Sequence, residues 1–451
     1  MMQPISFATL AHKYGGVLIE PDVRLQSLCT DSRTLRPGQV FLALRGGNFD
    51  GHEYLDTAVN QGASALVTER VLPKKAPQWI VKNSLRALGY IAVENREAFA
   101  GKLVALTGSN GKTSVKEMIS SIMRVNARVH ATQGNLNNHI GVPLTLLGLS
   151  PEHQYGVIEM GASGLGEINY LTGMARPDVA LVNNVGDAHV GEFGSIKNIE
   201  IAKGEIFNGL SSKGTGVVNL DSVGAARYLE KLIGRNVLTF SLEDQLAEVS
   251  ARSIRLEQMQ AGFELVTPVG AMDVQLQVSG RHNIANALAA AACCTALNIP
   301  LKQIVEGLQR FTGVSGRLAR HELSNGTVVI DDTYNASPSS VRAAIDLLAL
   351  APGQRILVLG DMAELGADSA SLHAQTGVYA RDRGIDRLLT VGADAAQAAK
   401  AFGAGAQSFE GKEELVNQLM SGLDATTTVL VKGSRSSRME DVVNAINERG
   451  V

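Results

Sequence analysis

Residues 104–113, Val-Ala-Leu-Thr-Gly-Ser-Asn-Gly-Lys-Thr, leave this chain few choices of fold. The apolar run Leu103 to Leu106 suits a buried parallel strand, and Val115, Ile119, Ile122 and Met123 recur at helical spacing just beyond it. Thr107, Gly108, Ser109, Asn110 and Gly111 therefore occupy a strand-to-helix turn. There the free N–H groups of the first helical turn and the positive end of the helix dipole meet an anion, and glycine lets the backbone approach it closely. Lys112 is placed to reach β- and γ-phosphates, and Thr113, with Ser114 beside it, to offer a hydroxyl to a magnesium ion. The strict pattern G-x-x-x-x-G-K-[ST] wants glycine at 106, where Leu106 stands, so this is a shortened loop, Thr-Gly-x-x-Gly-Lys-Thr. The ligands it implies are ATP and Mg²⁺.

The 451 residues, at about one domain per 150, allow three domains with real cores. Lysine and arginine (41) nearly balance aspartate and glutamate (44), no long basic run occurs and there is one tryptophan, which argues against nucleic acid as a partner. Three cysteines, two of them adjacent at Cys293 and Cys294 in an alanine-rich helical pattern, fit neither a disulfide framework nor a metal-ligand spacing. They read as small apolar residues in a reducing compartment. No membrane segment is expected, and the chain reads as a soluble cytoplasmic protein.

Residues 1–82 mix short strands and helices. Thr30-Asp31-Ser32-Arg33 precedes the Pro37-Gly38 turn and an apolar strand from Val40 to Leu44, and a glycine loop follows with Gly46, Asn48, Phe49, Asp50 and His52. Taken alone, both loops are ordinary turns. From 83 to 314 strand and helix alternate, as a doubly wound parallel sheet requires, and ligands gather at the strand C-termini of such sheets. One strand closes on Glu159; another, Ala180 to Asn184, leads into Asp187-Ala188-His189. Glu159 and His189 at neighbouring strand ends can complete a magnesium site with Thr113. Ahead of both strand ends, Asn135, Asn137 and Asn138 can hydrogen-bond a sugar or peptide, or form a plain turn. Ile199, Ile206, Phe207 and Leu210 make an apolar stripe that includes Lys203. A lysine there either snorkels to solvent along its stem or loses its proton through burial and becomes free to react, for instance with carbon dioxide. Residues 217–278 alternate like antiparallel strands, and a helix opens near Asn283 and Asn286. Gly316-Arg317 reads as a hinge into residues 315–451, a second doubly wound sheet with strands at Val328 to Asp331, Arg355 to Gly360, Arg387 to Val391 and Thr428 to Val431.

The loop Thr107 to Thr113, Glu159, His189, Lys203, Gly280 to Asn286, Gly316-Arg317 and Asp331 to Asn335 together resemble the Mur ligases of peptidoglycan synthesis over nearly the whole chain. Within that family Gly134 to Asn138, Ala202 to Phe207, Gly360 to Gly366 and Val431 to Arg435 are most similar to the members that join D-alanyl-D-alanine to UDP-N-acetylmuramoyl-tripeptide. The resemblance implies three α/β domains: a smaller N-terminal domain, a central phosphate-loop domain and a C-terminal Rossmann-like domain. It implies a UDP-sugar peptide bound around Thr30 to Arg33 and Gly46 to His52, and a cation held by Thr113, Glu159, His189 and a carbamylated Lys203. Asn283 falls on the adenine contact, Asp332 on the ribose contact and Arg317 on the residue reaching the γ-phosphate. Tyr334, where related ligases carry lysine, is placed with Asn335 on the adenine or domain-closure side. Lys112, Lys203, His189 and Arg317 are the expected catalytic groups. The dipeptide is expected near Asp361, Glu364, Lys432, Ser434 and Arg435, and the chain is expected to act as a monomer. Competing expectations are the ligase that adds the third peptide residue, a folylpolyglutamate synthetase, or an ATP-driven switch or transport ATPase.

Overall fold

The computed structural model describes every residue except 20, 21, 48, 74, 75, 187–189, 258, 259, 315 and 451. Three α/β domains are built on sheets of five, nine and six strands. In the first sheet Leu28–Cys29, Val40–Leu42, Ala65–Thr68 and Gln78–Ile80 run parallel, and Val17–Ile19 closes the edge antiparallel.

The phosphate-loop strand, Lys102–Thr107, lies inside the nine-stranded sheet between Tyr155–Glu159 and Val179–Val182, both parallel to it. Its side chains alternate as a two-residue period demands. Leu103 and Ala105 enter one apolar cluster and Val104 and Leu106 the other, so the strand is buried on both faces. Helices Lys112–Arg124, Arg281–Ala296 and Leu301–Arg310 cover the second face; Ser84–Glu97, Gly141–Leu147 and Glu167–Ala175 cover the first.

The antiparallel expectation for residues 217–278 needs correction. Thr215–Asn219 and Asn236–Ser241 extend the parallel sheet, and only Val249–Leu256, Ala261–Thr267 and Gly270–Leu276 form an antiparallel edge. Helix Ala225–Lys231 returns the chain to the starting end of the sheet, which makes its flanking strands parallel, and apolar alternation cannot report that. The Lys203 stripe also changes form: helix Ile196–Gly204 tightens into a 3-10 segment, Glu205–Gly209, while Ile199, Ile206, Phe207 and Leu210 all stay buried.

The third sheet holds the four expected strands, as Val328–Asp332, Gln354–Gly360, Arg387–Val391 and Thr427–Lys432, plus two edges, Ala319–Glu322 and Ala406–Phe409. Both edges are too polar to stand out as apolar runs. The cores divide unequally between the domains. One cluster runs from Ile5, Phe7 and Trp79 of the first domain into Leu88, Ile158 and Tyr228 of the central one, whereas the two clusters of the third domain are drawn from its own residues. Among the described residues no helix is long and apolar enough to cross a membrane.

Candidate active site

Gly111 sits at φ 78° at the head of helix Lys112–Arg124, and a Cβ there would lie 2.4 Å from the Asn286 Oδ1. Conformation and space both require glycine. The loop is strapped down by asparagines. Asn183 Nδ2 donates to the Asn110 carbonyl at 3.0 Å and to Asn286 Oδ1 at 3.1 Å, and Asn184 Oδ1 accepts the Asn110 N–H at 2.8 Å. Lys112 folds back on the loop and donates to the carbonyls of Gly108 at 2.7 Å and Ser109 at 3.3 Å. Thr107 and Ser109 are buried, and Ser114 continues the first turn of the helix.

Thr113 is where three elements meet. Its hydroxyl donates to Glu159 Oε2 at 3.0 Å and accepts from Arg317 Nη2 at 3.0 Å, while Asn137 Nδ2 donates to Glu159 Oε1 at 2.8 Å. Glu159, only 2% exposed, thus has neutral hydroxyl and amide partners, and these hard oxygen donors suit a magnesium ion. Among the described residues no group of three or more His, Cys, Asp or Glu converges. His189 lies outside the described residues, as does Asn48. Lys203 is 2% exposed and does not snorkel. Burial pushes its amine well below the ordinary value and nearby Lys112 pushes it further. Lys112 is also lowered by burial, with Glu159 partly offsetting and Arg317 adding to the effect.

From the third domain, the Arg317 guanidinium lies 4.2 Å above the Tyr334 ring, and its Nε is buried without a hydrogen-bond partner. Asn110 reaches across to Ser339 Oγ at 3.2 Å and Ser337 Oγ at 3.5 Å. Those serines open helix Pro338–Leu348; sequence reasoning did not single them out, although Ser-Pro at a helix start is a capping signal. Gly191 N–H meets the Glu364 carbonyl at 3.3 Å, and Glu364 holds a left-handed φ of 64°. Asn283 is buried, with Nδ2 donating to the Ser279 carbonyl at 2.8 Å.

Several expected contacts are turned inward. Lys432, 2% exposed, pairs with Asp332 at 2.5 Å and donates to the Asn335 carbonyl at 2.9 Å, so its charge is matched within the domain. Burial pushes the Asp332 carboxyl up and Lys432 holds it back. Asp361 accepts the Ala395 N–H at 2.7 Å, Ser434 bonds Ser437 at 2.8 Å, and the exposed Arg435 pairs with Glu440 at 2.8 Å. Buried His373 was overlooked, having no motif around it. Its Nε2 accepts the Met362 N–H at 2.9 Å and shapes the Asp361 to Gly366 loop.

In the first domain Asp31 caps the turn Ser32–Thr34 and pairs with exposed Arg33 at 2.6 Å, which holds the Asp31 carboxyl down to about 2; Thr30 is half-buried beside them. Asp50 caps Gly51–Tyr54, and the His52 N–H holds its carboxyl at about 2. Gly46 and exposed Phe49 close that loop through a 2.9 Å backbone bond. His52 itself is a correction: its side chain is fully buried, Nδ1 lies 2.6 Å from Asp50 and Nε2 accepts the Glu69 N–H at 2.9 Å. Both nitrogens are used, so the His52 ring shapes the loop and has no free nitrogen to offer a ligand. Of the three asparagines, Asn137 reaches Glu159, Asn138 caps the next helix by accepting the Gly141 N–H at 2.9 Å, and Asn135 is exposed.

Three family models match along the chain: "Mur ligase family, catalytic domain" over 24–105, "Mur ligase middle domain" over 106–294 and "Mur ligase, glutamate ligase domain" over 316–435. The UDP-N-acetylmuramoyl-tripeptide–D-alanyl-D-alanine ligase of Escherichia coli (strain K12) is 43% identical over 451 residues, covering 100% of both chains. That of Bacillus subtilis (strain 168) is 32% identical over 97% of each. A crystal structure of MurF from Acinetobacter baumannii superposes with a TM-score of 0.94 at 35% identity, covering 99% of each chain. MurF ligase from Thermotoga maritima in complex with ADP gives 0.86 at 28% identity, covering 94% of this chain and 97% of that one.

Proposed function

Because the chain belongs to the Mur ligase family, we propose how its own residues join D-alanyl-D-alanine to UDP-N-acetylmuramoyl-tripeptide and yield the UDP-muramoyl-pentapeptide of peptidoglycan synthesis. The enzyme is an ATP-dependent amide ligase. The observation that supports this chemistry most directly is the convergence on Thr113 of Glu159 from the central sheet and Arg317 from the third domain.

A carboxylate is a poor electrophile, so the tripeptide carboxylate takes the γ-phosphoryl group of ATP and becomes an acyl phosphate, with ADP leaving. Such a transfer is mainly positioning and charge stabilisation. Gly108 to Thr113 cradle the phosphates, Lys112 turns from the loop carbonyls toward the transferred group, and Arg317 supplies a second cation from across the domain boundary. The amine of D-alanyl-D-alanine then attacks the acyl carbon. The tetrahedral oxyanion collapses with loss of phosphate, and each donor aimed at that oxyanion contributes about 2.7–4 kcal/mol. Thr113 and Glu159 would hold Mg²⁺, with His189 and a Lys203 carbamate as further ligands, and the ion would neutralise charge on the phosphates. Lys203 fits the carbamate because burial favours its neutral, nucleophilic amine.

We divide the chain at 1–82, 83–314 and 315–451, assigning the UDP-substrate to the first part, ATP to the second, and nucleotide closure and the dipeptide to the third. Asn283, Tyr334, Asp332 and Asn335 line the nucleoside side in this scheme, and Asp361 and Glu364 the dipeptide side. A monomer working in the cytoplasm, where ATP and nucleotide-linked precursors are made, completes the proposal. The test is ADP release with a panel of UDP-muramoyl peptides and amines. Release should require both the tripeptide and D-alanyl-D-alanine and should weaken in bicarbonate-free buffer. Steady hydrolysis that ignores both substrates would sink the ligase mechanism, and use of a free amino acid in place of the dipeptide would change the acceptor.

A further inference from the structure

Lys116 lies one helical turn beyond Lys112, yet its side chain is 2% exposed and faces away from solvent. Its amine donates to the Thr132 carbonyl at 2.7 Å and pairs with the Glu117 carboxylate at 2.9 Å. The Glu117 side chain is 32% exposed, but the Lys116 amine is taken out of water, a cost that hydrocarbon of the same volume would not carry, so packing alone does not account for the lysine. What it grips explains more. The Thr132 N–H bonds the Val157 carbonyl at 3.0 Å, and the Thr132 hydroxyl accepts the Glu159 N–H at 2.9 Å, so Thr132 is stitched to the strand on both sides of Ile158. Five residues on, Asn137 donates to Glu159 Oε1 at 2.8 Å and its carbonyl accepts the Gly161 N–H at 2.8 Å. The segment from Thr132 to Asn137 therefore fixes the Glu159 backbone and one of its carboxylate oxygens.

We propose that Lys116 is a positioning residue for the Glu159 carboxylate. Helix Lys112–Arg124 carries Thr113 directly and, through the Lys116 clamp on Thr132, also sets where Glu159 stands. The two candidate cation donors are thus referred to one rigid element, although Thr113 stands on that helix and Glu159 at the end of strand Tyr155–Glu159. The partners of the Lys116 amine are Thr132 and Glu117, outside the phosphate-cradling part of the loop. This rests on the proposal that Thr113 and Glu159 hold magnesium.

ADP binding measured by calorimetry over a magnesium series, on Lys116→Met, Thr132→Val and Glu159→Gln, tests both layers. In Lys116→Met the magnesium concentration needed for its effect on ADP affinity should rise about 10–100-fold, the usual cost of losing a residue that orients a metal ligand. ADP binding without magnesium should stay unchanged. A lysine with a merely structural role would weaken both or neither, and either result overturns the proposal. Should Lys116→Met fail to fold, Thr132→Val must show the same selective shift, since it removes the acceptor of the Glu159 N–H; an unchanged magnesium series there is equally fatal. If Glu159→Gln also leaves the series unchanged, the cation assignment falls with it. If only Glu159→Gln shifts it, the positioning role alone is wrong.

Discussion

Lys432 with Asp332 in the third domain, and Lys112 with Lys203 in the central one, handle buried charge in opposite ways. The first pair is closed: opposite charges lie 2.5 Å apart, and the Asn335 carbonyl takes up another of the lysine's donors. The second is open: burial lowers both amines, Lys112 lowers Lys203 further, and Arg317 lowers Lys112 while Glu159 only partly offsets it. A closed pair needs nothing more and serves the fold. Buried basic groups without a matched partner are unfavourable as cations until an anion enters, so they favour a polyphosphate or a carboxylate made in place.

The contrast breaks most visibly in turnover. Arg317→Ala, which removes a charge, and Lys203→Met, which removes the amine that would form the carbamate, should each lower ligase turnover by roughly 10³-fold, the scale of a lost charge at a transferring phosphoryl group. Neither should lower the unfolding midpoint, and equal losses of stability and turnover would show that the open group serves the fold after all. Next in size is Lys432→Met, which strands Asp332 and should destabilise the third domain by about 3–5 kcal/mol in urea titration. Adding Asp332→Leu should restore most of that; no recovery would mean the pair is not self-contained. The smallest effect concerns His282, which burial and neighbouring Lys432 hold down to about 4 from 6.5. The unfolded chain takes up that proton near 6.5 and the folded chain only near 4, so stability falls as pH is lowered between the two values. His282→Gln should remove that slope and gain about 1 kcal/mol over the parent near pH 5.5. Parallel stability curves for the two proteins would mean that Lys432 exerts no field beyond its own pair.

The order strand, glycine turn, Gly-Lys-Thr, helix made the phosphate loop legible, because each part obeys a local rule. Glu159 was legible for the same reason: it ends a run of buried residues, where doubly wound sheets place ligands. The apolar stripe left Lys203 either snorkelling or buried, and only the resemblance to the family chose the buried, reactive lysine. What escaped was pairing at a distance. Nothing near Lys432 announces Asp332, a hundred positions earlier, and nothing near His52 announces that the Glu69 N–H will occupy its second nitrogen. Lys116 could have been found by the argument used for Lys203, since it follows Val115 and precedes Ile119 on a helix with an apolar face. Strand direction in residues 215–241 depended on a short helix whose Ala-Ala-Arg-Tyr-Leu-Glu-Lys sequence carries little apolar signal.

The way the apolar cores divide has a consequence for what any opening between the third and central domains would cost. It meets the central domain through Arg317 on Thr113, Asn110 on Ser337 and Ser339, and Gly191 on Glu364, all polar contacts, and shares none of the buried apolar clusters with it among the described residues. Parting the two domains therefore exposes little hydrocarbon to water, and the change in heat capacity on opening is small. The balance between open and closed forms then varies little in curvature with temperature but responds to ionic strength, because charge and hydrogen bonding are what hold it. If the two domains do part, temperature would leave the balance nearly where it was, and the charge of a bound nucleotide would shift it.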